Sequence, residues 1–122
     1  MVFNCKVKNL TELQAALDAF TDYLTAWRVS AETVFDSRLV ACELLANELK
    51  HAREETGMRS RMENGFIELK VFSKRGFEFP ENVVCSDVYS ESGRGLFLVK
   101  ELCGERIYSE ENGIRVLLRI KE

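Results

Sequence analysis

Glu43, Asn47 and His51 stand four residues apart in a segment whose apolar residues recur at helical spacing. At about 100° per residue, positions i, i+4 and i+8 fall on one stripe of a helix. A carboxylate, an amide and the chain's single imidazole therefore line up. Two readings fit: a solvated helix edge, or a carboxylate base beside an amide oxygen able to ligate a hard cation such as Mg2+. Further along, Ser92-Gly93-Arg94-Gly95-Leu96 sets an arginine between two glycines after a long loop, at the mouth of another helix. Glycines let backbone N–H groups approach an anion, a helix N-terminus adds favourable partial charge, and Arg94 offers a fork of donors to phosphate. In isolation this is equally an ordinary turn with a solvated arginine. Paired with the acid/amide stripe, it points to a Mg-nucleotide.

The elements that must carry these residues follow from apolar spacing. Residues 2–8 alternate loosely, as a half-buried strand does. From 10 to 27, Leu13, Ala16, Leu17, Phe20, Leu24 and Trp27 form one apolar stripe, with Asn9 or Thr11 as the cap and Glu12 in the first turn. A longer helix is predicted from Thr33 to Glu54 or Glu55, with Phe35, Leu39, Cys42, Ala46 and Leu49 as the face against the sheet. Val40 and Leu44 then fall on its outer side, to be covered by the third helix or by a partner. Gly57 to Asn64-Gly65 reads as a loop or hairpin turn, and Phe66 to Phe72 as a strand. Pro80 to Ser92 has no clear period and reads as a functional loop. Gly93-Arg94-Gly95 opens a third helix, Leu96 to Leu102, ended by Gly104. Strands at 105–109 and 114–120 flank the turn Glu110-Glu111-Asn112-Gly113. The order β-α-α-β-loop-α-β-β implies a single α+β domain over residues 1–122, with helices on one face of a mostly antiparallel sheet.

Composition narrows the partners. The chain has 122 residues and a net charge of -3, which argues against a direct nucleic-acid binder. No apolar run approaches the roughly 18 residues that span a bilayer, and the first residues lack a secretion signal, so a cytoplasmic location is expected. The four cysteines form no C-x-x-C pair and read as buried free thiols in a reducing compartment.

The chain resembles the GHKL, or histidine-kinase-like, ATPase superfamily, and within it the small anti-sigma-factor serine kinases of bacterial partner-switching modules. Glu43-Leu-Leu-Ala-Asn47-Glu-Leu-Lys-His51-Ala52 is similar to the family's N box, and Gly93-Arg94-Gly95-Leu96-Phe97-Leu98-Val99 to its glycine box. The closing hairpin through Val116-Leu117-Leu118-Arg119-Ile120 fits the family's last two strands. The resemblance implies a two-layer Bergerat-type fold that binds ATP and Mg2+. It implies that Asn47 ligates Mg2+ and that Glu43 is the general base for an attacking serine hydroxyl. Arg94 meets the terminal phosphate, Gly93 and Gly95 offer backbone donors, and His51 completes the box or fixes the helix end. It further implies a Mg-ATP-dependent serine kinase acting on a small anti-sigma-factor antagonist, with that antagonist or a sigma factor as partner, and a homodimer. The alternative is a non-catalytic protein-binding module of the same fold.

One element departs from the pattern. The family carries Asp-x-Gly-x-Gly after the middle strand, whose Asp accepts a hydrogen bond from the adenine amino group. Here the segment is Phe72-Ser73-Lys74-Arg75-Gly76-Phe77, in which Gly76 fits the last glycine and Phe72 stands in place of the Asp. Either Ser73 or Glu78 substitutes for that acceptor, or base recognition has decayed.

Overall fold

The computed structural model describes residues 2–52, 55–73 and 91–121, and the backbone alone for residues 51, 52 and 91–95. In chain order the elements are β1 (Phe3–Val7), α1 (Leu10–Ala26), α2 (Ala31–Ala52), β2 (Thr56–Glu63), β3 (Phe66–Phe72), α3 (Glu91–Cys103), β4 (Ile107–Glu110) and β5 (Gly113–Arg119). The five strands form one sheet in the order β1-β2-β3-β5-β4, with every neighbouring pair antiparallel. The three helices pack on one face, so the α+β, two-layer expectation is met.

Local chemistry explains the boundaries. Asn9 caps α1 by accepting the Glu12 N–H at 2.9 Å, while the Glu12 carboxylate accepts the Lys8 N–H at 2.9 Å. Leu13, Leu17, Phe20 and Leu24 bury the helix's inner stripe, but Trp27 lies past its end and is half exposed. Phe3 on β1 meets the rings of Phe20 and Tyr23 at 5.3 and 5.4 Å, which fastens α1 to the sheet's edge. Asn64 and Gly65, with φ of 53° and 83°, make the two-residue turn between β2 and β3. Gly104, at φ 63°, ends α3 as expected and donates its N–H to the Lys100 carbonyl at 2.8 Å. Gly113 has φ 151°, and a Cβ there would stand 2.1 Å from the Val71 carbonyl oxygen; only glycine fits between β3 and β5.

Three expectations are corrected. The stretch from Gly57 is not a loop. It belongs to β2, which pairs with both β1 and β3. Its inward residues are Thr56, Met58 and Ser60, and two of these are hydroxyls that hide the usual apolar alternation. Second, α2 is rotated from the predicted pose. Val40, Ala41, Leu44 and Leu45 are fully buried together with Ser37, whereas Phe35 is 67% exposed. Val40 and Leu44 are therefore core residues and not an outer stripe, while Cys42, Ala46 and Leu49 pack only partly against the core. Third, α3 begins at Glu91, so Ser92, Gly93 and Arg94 lie in its first turn and Gly95 opens the next, rather than all four lying in a loop before it. The Gly95 N–H is then taken up within the helix and is not a free donor. The first four N–H groups of a helix have no intrahelical partner, which makes glycine less costly there than in the interior. The rest of the predicted loop, residues 80–90, lies outside the described residues.

Candidate functional site

The direction of α2 decides what gathers around it. Its start is tied to the end of the last strand. The Lys121 N–H donates to Thr33 Oγ1 at 2.9 Å, and the Ser30 hydroxyl donates to the Lys121 carbonyl at 2.7 Å. Its last turn leads within a few residues to Thr56, the first residue of β2. The helix thus crosses the sheet from the Arg119 end to the end where Thr56, Phe72 and Gly113 meet. Glu43 and Asn47 sit in its second half, toward that end.

Both residues are half-buried. They lie one turn apart on the flank between the fully buried stripe and the more open stripe of Phe35 and Leu39, as their spacing predicts. This flank is accessible yet partly desolvated, a setting in which a carboxylate and an amide can meet a ligand. The carboxylate is felt locally. The Cys42 thiol is pushed up by burial first and by the neighbouring Glu43 charge second, with Arg38 opposing. Arg38 is itself held by Asp18 and Thr21 of α1, at 3.0 and 2.9 Å. His51 occupies the next turn of the α2 backbone, and its side chain is outside the description.

The end of β3 lies at the same end of the sheet. Strand alternation carries Val71 into the core and Phe72 to the outer face, where Lys70 Nζ and the Arg59 guanidinium lie 5.6 and 5.9 Å from its ring centroid. Phe72 is thus turned away from the helices, and alternation brings Ser73 to the helix-covered face. Ser73 is buried, and its N–H continues the ladder to the Asn112 carbonyl at 2.9 Å. Beside it, the Thr56 hydroxyl donates to the Phe72 carbonyl at 2.8 Å. A recess of about 310 Å3 at this end is lined by Lys6, Thr56, Gly57, Phe72, Ser73 and Asn112 among others. Among the described residues none of α2 lines it, and neither Glu43 nor Asn47 does. Gly76, Lys74, Arg75 and Glu78 lie outside the described residues.

The start of α3 carries Gly93 and Arg94 in its first turn and Gly95 just after it. A short turn through Gly104 reverses the chain from α3 into β4, and β4 runs to Glu110, opposite Gly113. The N-terminus of α3 is thereby set at the same end as Ser73 and the close of α2. The N–H groups of a helix's first turn and the glycine among them suit an anion, as the sequence suggests.

Sequence reasoning passed over Glu48. It is 6% exposed and follows Leu44 and Leu45 on the buried stripe. The signal was present in the spacing Val40-Leu44-Glu48, but a helix face assigned from Phe35 and Leu39 leaves Glu48 in solvent. Among the described residues no group of three His, Cys, Asp or Glu could hold a metal ion by itself. The half-buried Asn47 amide suits a different arrangement, in which one protein oxygen, ligand phosphates and water complete a Mg2+ shell. Likewise, no helix among them is long and apolar enough to cross a membrane.

A family model described as a histidine kinase-like ATPase domain matches residues 7–120. A comparison with curated proteins found no match.

Proposed function

Since the chain belongs to the histidine kinase-like ATPase domain family, we propose that it binds ATP with Mg2+ and phosphorylates a serine of a small anti-sigma-factor antagonist. The observation that carries this reading is the Glu43/Asn47 pair, half-buried one turn apart on the flank of α2. Asn47 would offer its amide oxygen to the metal. Gly93, within the first turn of α3, would offer its backbone N–H to the phosphates, and Arg94 would meet the terminal one. Bound Mg2+ supplies neutralisation of the charge shared by the nucleotide's outer phosphates. Glu43 would take the proton of the partner's serine as the new O–P bond forms and ADP departs. Positioning and charge neutralisation suffice for such a transfer, so few residues are needed.

Titration calorimetry with ATP, with and without Mg2+, tests the binding half. Micromolar, metal-dependent binding is expected for the wild type and is lost in Asn47→Ala. Transfer of labelled phosphate to a serine-bearing antagonist tests the rest: Glu43→Ala should keep nucleotide affinity and lose transfer. Transfer that survives in Glu43→Ala would remove the base assignment. Absence of any nucleotide binding to the wild type would remove the kinase reading.

A further inference from the structure

We infer that the outer face of the sheet, opposite the helices, docks an extended acidic segment of a partner protein, gripped at a ring-and-cation recess at each end of β3. The inference stands apart from the nucleotide reading, because it uses none of the residues proposed to hold ATP.

Strand pairing fixes what this face carries. Arg59 stands directly opposite Lys70, and Lys70 directly opposite Arg115, so cations form one row across β2, β3 and β5. Like charges directly opposite one another destabilise a sheet, so the fold's own stability does not account for the row. The carboxylates of the face are Glu63, Glu68 and Glu110, and they pair with Arg61, Arg115 and Lys70. Among the described residues Lys6, Arg59, Arg106 and Arg119 of the same face have no carboxylate partner. The chain as a whole has a net charge of -3, yet this face is left with an excess of positive charge. Its complement is an anion.

The unpaired cations fall into two groups. At one end of β3 the Arg59 guanidinium lies 5.9 Å from the Phe72 ring centroid, and a recess of about 340 Å3 beside that ring is lined by Lys6 and Gly57 among others. At the other end Arg106 and Arg119 lie 5.3 and 5.8 Å from the Phe66 ring centroid. Phe66 and Arg119 there line a recess of about 350 Å3 with Asn64 and Gly65. A guanidinium laid over a ring keeps its fork of donors for a carboxylate. Phe66 and Phe72 are the first and last residues of β3, about 20 Å apart at ~3.3 Å per residue. The stretch between them holds the paired charges Glu68, Arg115, Lys70 and Glu110. An extended peptide can place carboxylates at the two recesses and neutral residues between. A nucleic acid carries charge on every nucleotide and would set phosphates against Glu68 and Glu110. A second copy would set this positive face against itself.

Fluorescence anisotropy tests this with a labelled Gly/Ser peptide bearing two Glu-Glu pairs about 20 Å apart when extended. The comparisons are a peptide of the same composition with its glutamates contiguous, and a single-stranded oligothymidylate. The wild type should bind the spaced peptide in a salt-sensitive way, at least about 5-fold tighter than the contiguous one. Arg59→Ala and Arg119→Ala should each weaken binding about 5-fold and together about 25-fold, since the recesses are too far apart to couple. Lys100→Ala removes a cation from the helical layer and should leave binding unchanged. Arg59 and Arg119 are exposed, so thermal melts of these variants should match the wild type. Lys6→Glu, also at an exposed site, takes the place of either that fails to fold. No binding of the spaced peptide, equal affinity for the contiguous one, or an equal loss in Lys100→Ala overturns the inference. Tighter binding of the oligothymidylate with the same dependence on Arg59 and Arg119 assigns the face to nucleic acid and overturns it. Self-association in sedimentation that is abolished by Arg59→Ala assigns the face to a second copy and overturns it likewise.

Discussion

Lys70 lies buried on the sheet's outer face, where its ammonium donates to the Glu110 carboxylate and to Asn112 Oδ1, the latter at 2.7 Å. The Lys70 hydrogen bond comes first in holding the Glu110 carboxyl below the ordinary range, and Arg115 adds to it. A carboxylate with a depressed folded-state pKa stabilises the protein above its unfolded value, about 4.3 for glutamate, and that contribution is lost as pH falls further. Lys70→Met should cost about 2 kcal/mol near neutrality, in the range for hydrogen bonds to charged groups. The gap to the wild type should narrow as pH drops below about 4.3. Urea titrations at several pH values check this, and a gap independent of pH would show that packing, not the ion pair, sets the cost. The same scale shows what a sequence hides. Residue types at Glu43 and Asn47 were legible because their spacing alone puts them on one stripe. Phe72 and Glu48 were not, because which side of a strand or helix is inward depends on neighbours across the sheet.

Whole elements were legible to the degree that one apolar pattern dominated them. In α1 the stripe Leu13-Leu17-Phe20-Leu24 has no competitor, and the structure buries those residues. In α2 two stripes compete, one built on Phe35 and Leu39, the other on Val40, Leu44 and Leu45. The second is interrupted by Ser37 and Glu48, which lowers its apparent apolarity although it is the face the sheet covers. Strand β2 is obscured in the same way by Thr56 and Ser60, even though Asn64-Gly65 marks its hairpin. The pose of α2 has a direct mutational reading. Leu44→Ala, at a fully buried site, should cost about 2–5 kcal/mol. Phe35→Ser, at a largely exposed one, should stay within about 0.5 kcal/mol. Chemical denaturation of the two variants measures both. The reverse order would return the inner face to Phe35.

At the scale of the molecule, the proposed site joins elements far apart in sequence: the second half of α2, the end of β3 and the first turn of α3. Their meeting depends on the antiparallel order of the sheet and on the turn that sends α3 back toward β4. Ligand binding across them should therefore resist opening of the whole domain and not of one helix. Cys103, at the far end of α3, reports on this. It is fully buried, and its thiol is pushed up to about 12 by burial, with Arg106 opposing. In the folded state it is both inaccessible and protonated, hence inert toward alkylating reagents, and labelling follows the population of the opened form. Nucleotide at a hundred times its dissociation constant stabilises by about 2.7 kcal/mol, which should slow Cys103 labelling about 100-fold. Mass spectrometry of the Cys103 peptide, with Mg-ATP and without, reads that ratio directly. In Asn47→Ala the nucleotide should give no protection, while labelling without nucleotide should match the wild type because Asn47 is outside the packed core. Binding seen by calorimetry without protection of Cys103 would mean that α3 opens independently of the site, and the first turn of that helix would then have no part in holding the phosphates.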